Sequence, residues 1–277
     1  MKRITLPCGE SVPALGQGTW NLGDAPRLRA GEIASLRRGL DLGLTLVDTA
    51  EMYGDGRSEE LVGEAIAGRR DEVFLVSKVY PYNASRRAMR RSCEASLRRL
   101  RVDTIDLYLL HWPGEVPLAE TVEAFEALRR EGKIRHWGVS NFDPEGMREL
   151  ESTPGGAAAQ ADQVLYNLGR RGIEWDLLPG LRTRGVPVMA YSPLEQARLL
   201  RTRPLATFAR QHGMTPAQVC IAWLLAQDGV IAIPKTGQRE RLEENAGALE
   251  RPLSAAQLEE LDRLLPPPEG PTPLAML

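Results

Sequence analysis

Four titratable residues in this chain of 277 stand where they could act together on one small group. Asp48 sits in the apolar run LTLVDTA, and Tyr53 follows five residues later in EMYGDG. Lys78 closes FLVSK, and His111 follows the apolar YLL in YLLHW. The chemistry open to such a set is proton delivery to a carbonyl. A free tyrosine, with a pKa of about 10, is a poor acid at neutral pH. An ammonium within about 4–6 Å favours the phenolate, so Lys78 beside Tyr53 is expected to lower the phenol's pKa. Asp48 paired with Lys78 would keep the ammonium charged in a semi-buried place, and His111 could donate to a substrate oxygen and orient it.

Lys78 is the most distinctive of the four. The chain holds only four Lys among 35 basic residues, so arginine is its default cation, and a lysine closing an apolar run suggests a need for a compact charge. Taken singly, each residue has a plainer reading: a rim lysine, a capping carboxylate, a hydrogen-bonded core histidine, an ordinary tyrosine. Their joint placement carries the argument. The set contains no nucleophile with its base and no metal-ligand cluster, which points to proton transfer coupled to something a cofactor delivers.

Positioning these residues requires strands that end at one level. Short apolar or β-branched runs occur at Ala14–Gly18, Thr45–Asp48, Glu72–Ser77, Thr104–Leu110, Ile134–Ser140, Ala159–Val164, Pro187–Ala190 and Val230–Ile233. Helix-period segments lie between them, at Arg27–Leu42, Ser58–Ala67, Ser85–Leu100, Leu118–Glu131, Thr215–Gln227 and Arg239–Leu249. Strands alternating with helices predict parallel strands and crossover helices, and eight units in a chain of this length predict a closed (β/α)8 barrel. In such a barrel, chemistry sits at the C-terminal strand ends, where Asp48, Lys78 and His111 fall. An open doubly wound sheet is the alternative, but it calls for GxGxxG after the first strand, and the segment GQGTWNLG does not supply it. Arg3–Leu6 and Val12–Ala14 flank a Cys8-Gly9-Glu10 turn, predicting an N-terminal β-hairpin that plugs the barrel floor. An extra helix is expected around Pro204–His212, and a proline-rich tail follows Arg263.

Lys and Arg total 35 against 37 Asp and Glu, a net charge of -2, which argues against gripping nucleic acid or anionic lipid. No apolar run approaches a membrane span, and Pro7, Glu10 and Pro13 interrupt any signal-peptide core. Cys8, Cys93 and Cys220 are too few and too scattered for a disulfide framework or a zinc motif. The expectation is one barrel domain over residues 1–277, cytoplasmic and monomeric, with no metal.

Three segments resemble the aldo-keto reductase family: LGLTLVDTAEMYG, LLHWP, and IPKTGQRERLEEN from Ile233 to Asn245. The match runs over nearly the whole chain and is similar in particular to bacterial members that reduce methylglyoxal and other small aldehydes. The resemblance implies an NADPH-dependent carbonyl reductase in a (β/α)8 barrel. Asp48, Tyr53, Lys78 and His111 match the family's catalytic tetrad, with Tyr53 as proton donor. Ser140, Asn141 and Gln163 are implied to hold the nicotinamide carboxamide, and Tyr191 to stack on the ring. Gly18, Thr19, Ser192, Leu194, Lys235, Thr236, Arg241, Glu244 and Asn245 are implied as further cofactor contacts. Family members commonly carry Asn before that Gln, whereas this chain has Asp162.

The residues themselves lend that cofactor segment separate support. Lys235 and Arg241 put two cations beside a helix start whose free N–H groups favour an anion, and Arg241 and Asn245 share a helix face. Such a pocket suits a phosphate monoester, hence NADPH over NADH; a solvated helix crowded by Arg239, Glu240, Glu243 and Glu244 is the plainer reading. Trp20, Tyr80, His111 and Trp112 are expected to line the substrate pocket, with Tyr82 equally suited to plain packing. The tail either covers the mouth through Leu274 or Met276 or is disordered. Two other functions stay open: a cofactor-binding regulatory subunit with little turnover, and an unrelated barrel enzyme such as a phosphate-sugar isomerase.

Overall fold

The computed structural model describes residues 2–277. It opens with an antiparallel hairpin, β1 (Arg3–Thr5) and β2 (Ser11–Pro13), in the register Arg3↔Pro13. Gly9 turns the chain at φ +89°, a left-handed conformation that glycine takes without strain. Eight parallel strands follow: β3 (Gln17–Gly18), β4 (Leu46–Asp48), β5 (Phe74–Val79), β6 (Ile105–Leu110), β7 (Ile134–Ser140), β8 (Asp162–Leu165), β9 (Val188–Tyr191) and β10 (Val230–Ala232). Each pairs with its sequence neighbour. Parallel bridges Leu15↔Ala232 and Gly18↔Lys235 close the ends, with Gly16 N–H donating to Ala232 O at 2.9 Å. A Cβ on Gly18 would lie 2.8 Å from Ile233 O, so this close approach needs glycine. The expected barrel and its hairpin are both present.

The strands are buried on both faces, which is why they read as nearly continuous apolar runs. Leu46, Phe74, Val76, Leu107, Leu109, Ala161, Met189, Ile231 and Ile233 fill the barrel interior. Ile4, Leu6, Val12 and Ala14 pack onto them from the hairpin, plugging the floor as expected. The intervening residues face a surrounding layer of helices: α1 (Arg29–Asp41), α2 (Arg57–Ala65), α3 (Arg86–Leu100), α4 (Leu118–Arg130), α5 (Pro144–Ser152), α6 (Leu177–Thr183), α7 (Arg203–Gln211), α8 (Pro216–Ala226), α9 (Arg239–Ala246) and α10 (Ala255–Leu264). The expected extra helix is α7. Residues 265–277 form no regular element. No helix among the described residues is long and apolar enough to cross a membrane.

Candidate active site

Side chains alternate along a strand, so adding two to an interior residue gives the next one up the bore. The apolar interior continues in this way into polar groups. Leu46 leads to Asp48, Val76 to Lys78, Leu109 to His111, Gly138 to Ser140, Ala161 to Gln163, Met189 to Tyr191 and Ile233 to Lys235. Apolar below and polar at the rim, the strands place all seven at the C-terminal mouth. Tyr53 comes from the loop after β4, opening a 3-10 turn that is interrupted by left-handed backbone at Gly54 and Asp55.

Lys78 is completely buried and spends its three N–H donors on Asp48 Oδ2 at 2.8 Å, Thr49 O at 2.9 Å and Tyr53 Oη at 3.0 Å. Burial alone would lower its pKa, but the Asp48 carboxylate and Tyr53 outweigh that and raise it, so the ammonium stays charged. Gln163 Nε2 donates to the other Asp48 oxygen at 2.8 Å, fixing the carboxylate.

The expected lowering of the Tyr53 pKa is corrected here. Desolvation of the phenol raises it, more than the Lys78 ammonium pulls it down. The hydroxyl therefore holds its proton at neutral pH with a cation 3.0 Å from the oxygen. His111 packs edge-on to Tyr53, with ring centroids 5.8 Å apart. Burial, helped by the Lys78 charge, pushes its pKa down to about 2, so the imidazole is neutral. Its buried Nδ1 has no hydrogen-bond partner. An unpaired buried N–H costs more than an unpaired lone pair, which leaves the ring proton on Nε2.

Ser140 and Asn141 form a second hydrogen-bonded group on the next strand. Ser140 Oγ donates to Gln163 O at 2.7 Å, and Asn141 Nδ2 donates to His111 O at 3.1 Å. Tyr191 Oη donates to Asn141 Oδ1 at 3.0 Å. Beneath them Asp162 is fully buried, and its Oδ2 has no partner. Burial pushes its carboxyl well above the usual range, which favours the neutral acid in the fold. That is how a carboxyl fits where the family commonly has a neutral amide.

Two adjoining cavities form one cleft across the mouth. The first, about 210 Å³, holds Asp48, Tyr53, His111, Trp112 and the Ser140–Asn141 pair, with Gln163 and Tyr191. The second, about 610 Å³, runs along α9 past Thr236, Arg241, Glu244 and Asn245. Trp20, Ser192, Pro193, Gln196 and Lys235 border both. Glu243 is taken up by Arg38 at 2.7 Å and Arg239 at 3.1 Å. Lys235 and Arg241 have no carboxylate partner within salt-bridge distance among the described residues, leaving two free cations on the cleft.

The loop after β9 borders this cleft. Ser192, Glu195, Gln196 and Ala197 all adopt positive φ, a strained choice for residues with a Cβ. Buried Glu195 holds the loop, accepting from Asn167 Nδ2 at 2.8 Å and Arg170 Nε at 3.0 Å. Asn167 Nδ2 also donates to Ser192 O at 2.9 Å.

Most of the residues expected from sequence meet here, Gly18, Thr19 and Leu194 among them. Tyr80 does not line the cavity. It stacks on exposed Tyr82 at 4.5 Å and buttresses Trp112 edge-on at 5.8 Å. The tail does fold over the mouth, but through Met276 and Leu277; Leu274 packs elsewhere, beside Arg171 and Ile173. Met52, Pro193, Gln196, Ile233 and Leu277 were not expected, and Met52, four places from Asp48 and next to Tyr53, is the one whose position offered a hint.

The Aldo/keto reductase family profile matches residues 14–266. The chain belongs to the aldo/keto reductase family. Among curated members it is similar to the methylglyoxal reductase YeaE of Escherichia coli (strain K12), 52% identical and covering 100% of this chain and 99% of the relative. The glyoxal reductase of Bacillus subtilis (strain 168) is 32% identical, over 94% and 92% of the two chains. The aldo/keto reductase from Klebsiella pneumoniae, crystallised with NADP and acetate, superposes with a TM-score of 0.97 at 50% identity, covering 100% and 99%. A Klebsiella pneumoniae aldo-keto reductase in complex with NADPH gives 0.97 at 51%, with both chains covered completely.

Proposed function

We propose that this family member reduces small aldehydes or ketones to alcohols with NADPH, methylglyoxal and related 2-oxoaldehydes being the best candidates. The hydride would come from the nicotinamide and the proton from Tyr53. The observation that carries the reading is the Lys78 ammonium, bound at once to Asp48 and to the Tyr53 hydroxyl at the wall of a cleft.

The cleft suits the cofactor at both ends. Ser140, Asn141 and Gln163 offer amide and hydroxyl groups for a carboxamide, and Tyr191 offers a ring face. Lys235 and Arg241, with no carboxylate within salt-bridge distance, suit the extra phosphate that separates NADPH from NADH. When bound, NADPH supplies the hydride. His111, neutral and protonated at Nε2, donates a hydrogen bond to the carbonyl oxygen and orients it. Tyr53 passes its proton to that oxygen as negative charge builds there. Lys78 then stabilises the phenolate that forms, so its charge acts on the transition state rather than on the resting phenol. Asp48, held by Gln163, keeps the lysine protonated throughout.

Trp20, Met52, Trp112, Met276 and the Leu277 side chain give the substrate side an apolar wall, which fits a small carbonyl. Three unpaired thiols fit a reducing compartment such as the cytoplasm, and the reading needs only one chain. The test is NADPH oxidation with methylglyoxal, phenylglyoxal, short aliphatic aldehydes and sugars. Turnover is expected with the small oxoaldehydes, faster with NADPH than with NADH. Tight cofactor binding with no turnover on any of them would replace this reading with the regulatory one.

A further inference from the structure

The barrel floor brings together three side chains that carbonyl reduction does not use. Cys8 and Glu10 lie in the turn between β1 and β2. His136 lies on β7, two places below Gly138 and four below Ser140 on the same side of the strand. His136 Nε2 is 2.9 Å from Glu10 Oε2, and Cys8 Sγ is 3.7 Å from that same nitrogen. All three atoms fall within 4.8 Å of one another.

Their arrangement tells a relay from a ligand set. A Cys–His–carboxylate relay uses both ring nitrogens, one for the thiol and one for the acid. Here the thiol and the acid face one nitrogen, so the three donor atoms surround a single point. Around tetrahedral Zn²⁺, with bonds of about 2.0–2.3 Å, neighbouring donors stand roughly 3.3–3.6 Å apart. Cys8 and His136 are already close to that spacing, and Glu10 needs to move by only about half an ångström from the histidine.

Two of the three residues are also held by neighbouring groups, as metal-binding residues commonly are. Arg135 donates to Glu10 Oε2 at 2.8 Å, and the Cys8 backbone N–H donates to Gln160 Oε1 at 2.8 Å. Gln160 is itself buried and donates to Ala158 O at 2.7 Å. The Arg135 charge opposes a cation here, but Asp106 shares it at 2.7 Å. Cys8 is exposed, giving an ion a way in, whereas Cys93 and Cys220 are buried.

We propose that Cys8, Glu10 and His136 bind a divalent transition-metal ion, Zn²⁺ by their mixed sulfur, nitrogen and oxygen chemistry, with water as fourth ligand. On binding, the Cys8 S–H bond breaks and its proton leaves to solvent, the His136 ring proton moves from Nε2 to Nδ1 through solvent, and sulfur–zinc and nitrogen–zinc bonds form with no change in oxidation state. The ion ties the hairpin plug to β7 and stabilises the fold without entering the reaction.

The test uses full-length protein stripped of metal, loaded with ZnCl₂ and then desalted. One zinc retained per chain is expected, with a raised Tm that MgCl₂ does not reproduce. Co²⁺ in its place should give a thiolate-to-cobalt charge-transfer band. Cys8→Ser and His136→Gln should lose the retained zinc and the band, while keeping wild-type reductase turnover. Cys8→Ser should also keep the metal-free Tm. Failure of the wild type to retain zinc, or equal retention by Cys8→Ser, would overturn the proposal, and neither result bears on carbonyl reduction.

Discussion

Asp162 and Tyr53 show at single residues how burial decides protonation. In both, removal from water favours the neutral form, and nearby charge sets what remains. Tyr53 has a cation at 3.0 Å that can take up the charge of its phenolate, whereas Asp162 has none, and its Oδ2 lacks a partner. Burial raises the Asp162 pKa in the fold, whereas in the unfolded chain the carboxyl ionises above about pH 4. A group whose folded pKa is raised favours the fold at low pH and loses that contribution as pH rises. Asp162→Asn removes the titration while keeping the shape. Urea melts from pH 4 to neutrality should show wild type losing stability relative to the variant as pH rises. A constant difference would mean that Asp162 is ionised in the fold.

At the scale of elements, the alternation of strand side chains explains why so much of this site was legible. Asp48, Lys78 and His111 each follow an interior apolar residue by two positions, so once the strands are recognised the rim residues follow. The helices α5, α6 and α10 were not assigned from sequence. The first two span nine and seven residues, and α6 contains Pro179 and Gly180, so neither gives a sustained period. The loop after β9 was illegible for another reason: its left-handed residues are Ser, Glu, Gln and Ala, none of which favours a positive φ, and distant Asn167 and Arg170 hold it. Likewise the sequence revealed the cation beside Tyr53 but not the depth of burial that outweighs it. Cys8 and His136, brought together only by the closed barrel, gave no zinc spacing to recognise.

Helix α9 was legible and supplies its own test. Its Arg241 lines the larger cavity without a carboxylate partner. A charge-assisted hydrogen bond to a phosphate contributes about 1.5–3 kcal/mol. Arg241→Ala should therefore raise the KM for NADPH by roughly tenfold to a hundredfold, by the same energy, and leave that for NADH nearly unchanged. Equal effects on both cofactors would remove Arg241 from recognition of the extra phosphate.

Across the whole molecule, a hairpin closes the floor, packed apolar layers fill the bore, and the Asp48–Tyr53–Lys78–His111 group stands at the mouth, where the β9 loop and the Met276–Leu277 tail border the cleft. On the proposed reading, recognition of the extra phosphate and proton transfer lie apart: Arg241 lines only the larger cavity and Tyr53 only the smaller. That separation makes one variant decisive. Tyr53→Phe removes a single oxygen from the smaller cavity and leaves the larger one untouched. Turnover of methylglyoxal should fall by at least about a hundredfold, the scale of a lost general acid, with the Kd for NADPH within about a factor of two of wild type. Turnover close to wild type in that variant would contradict the account.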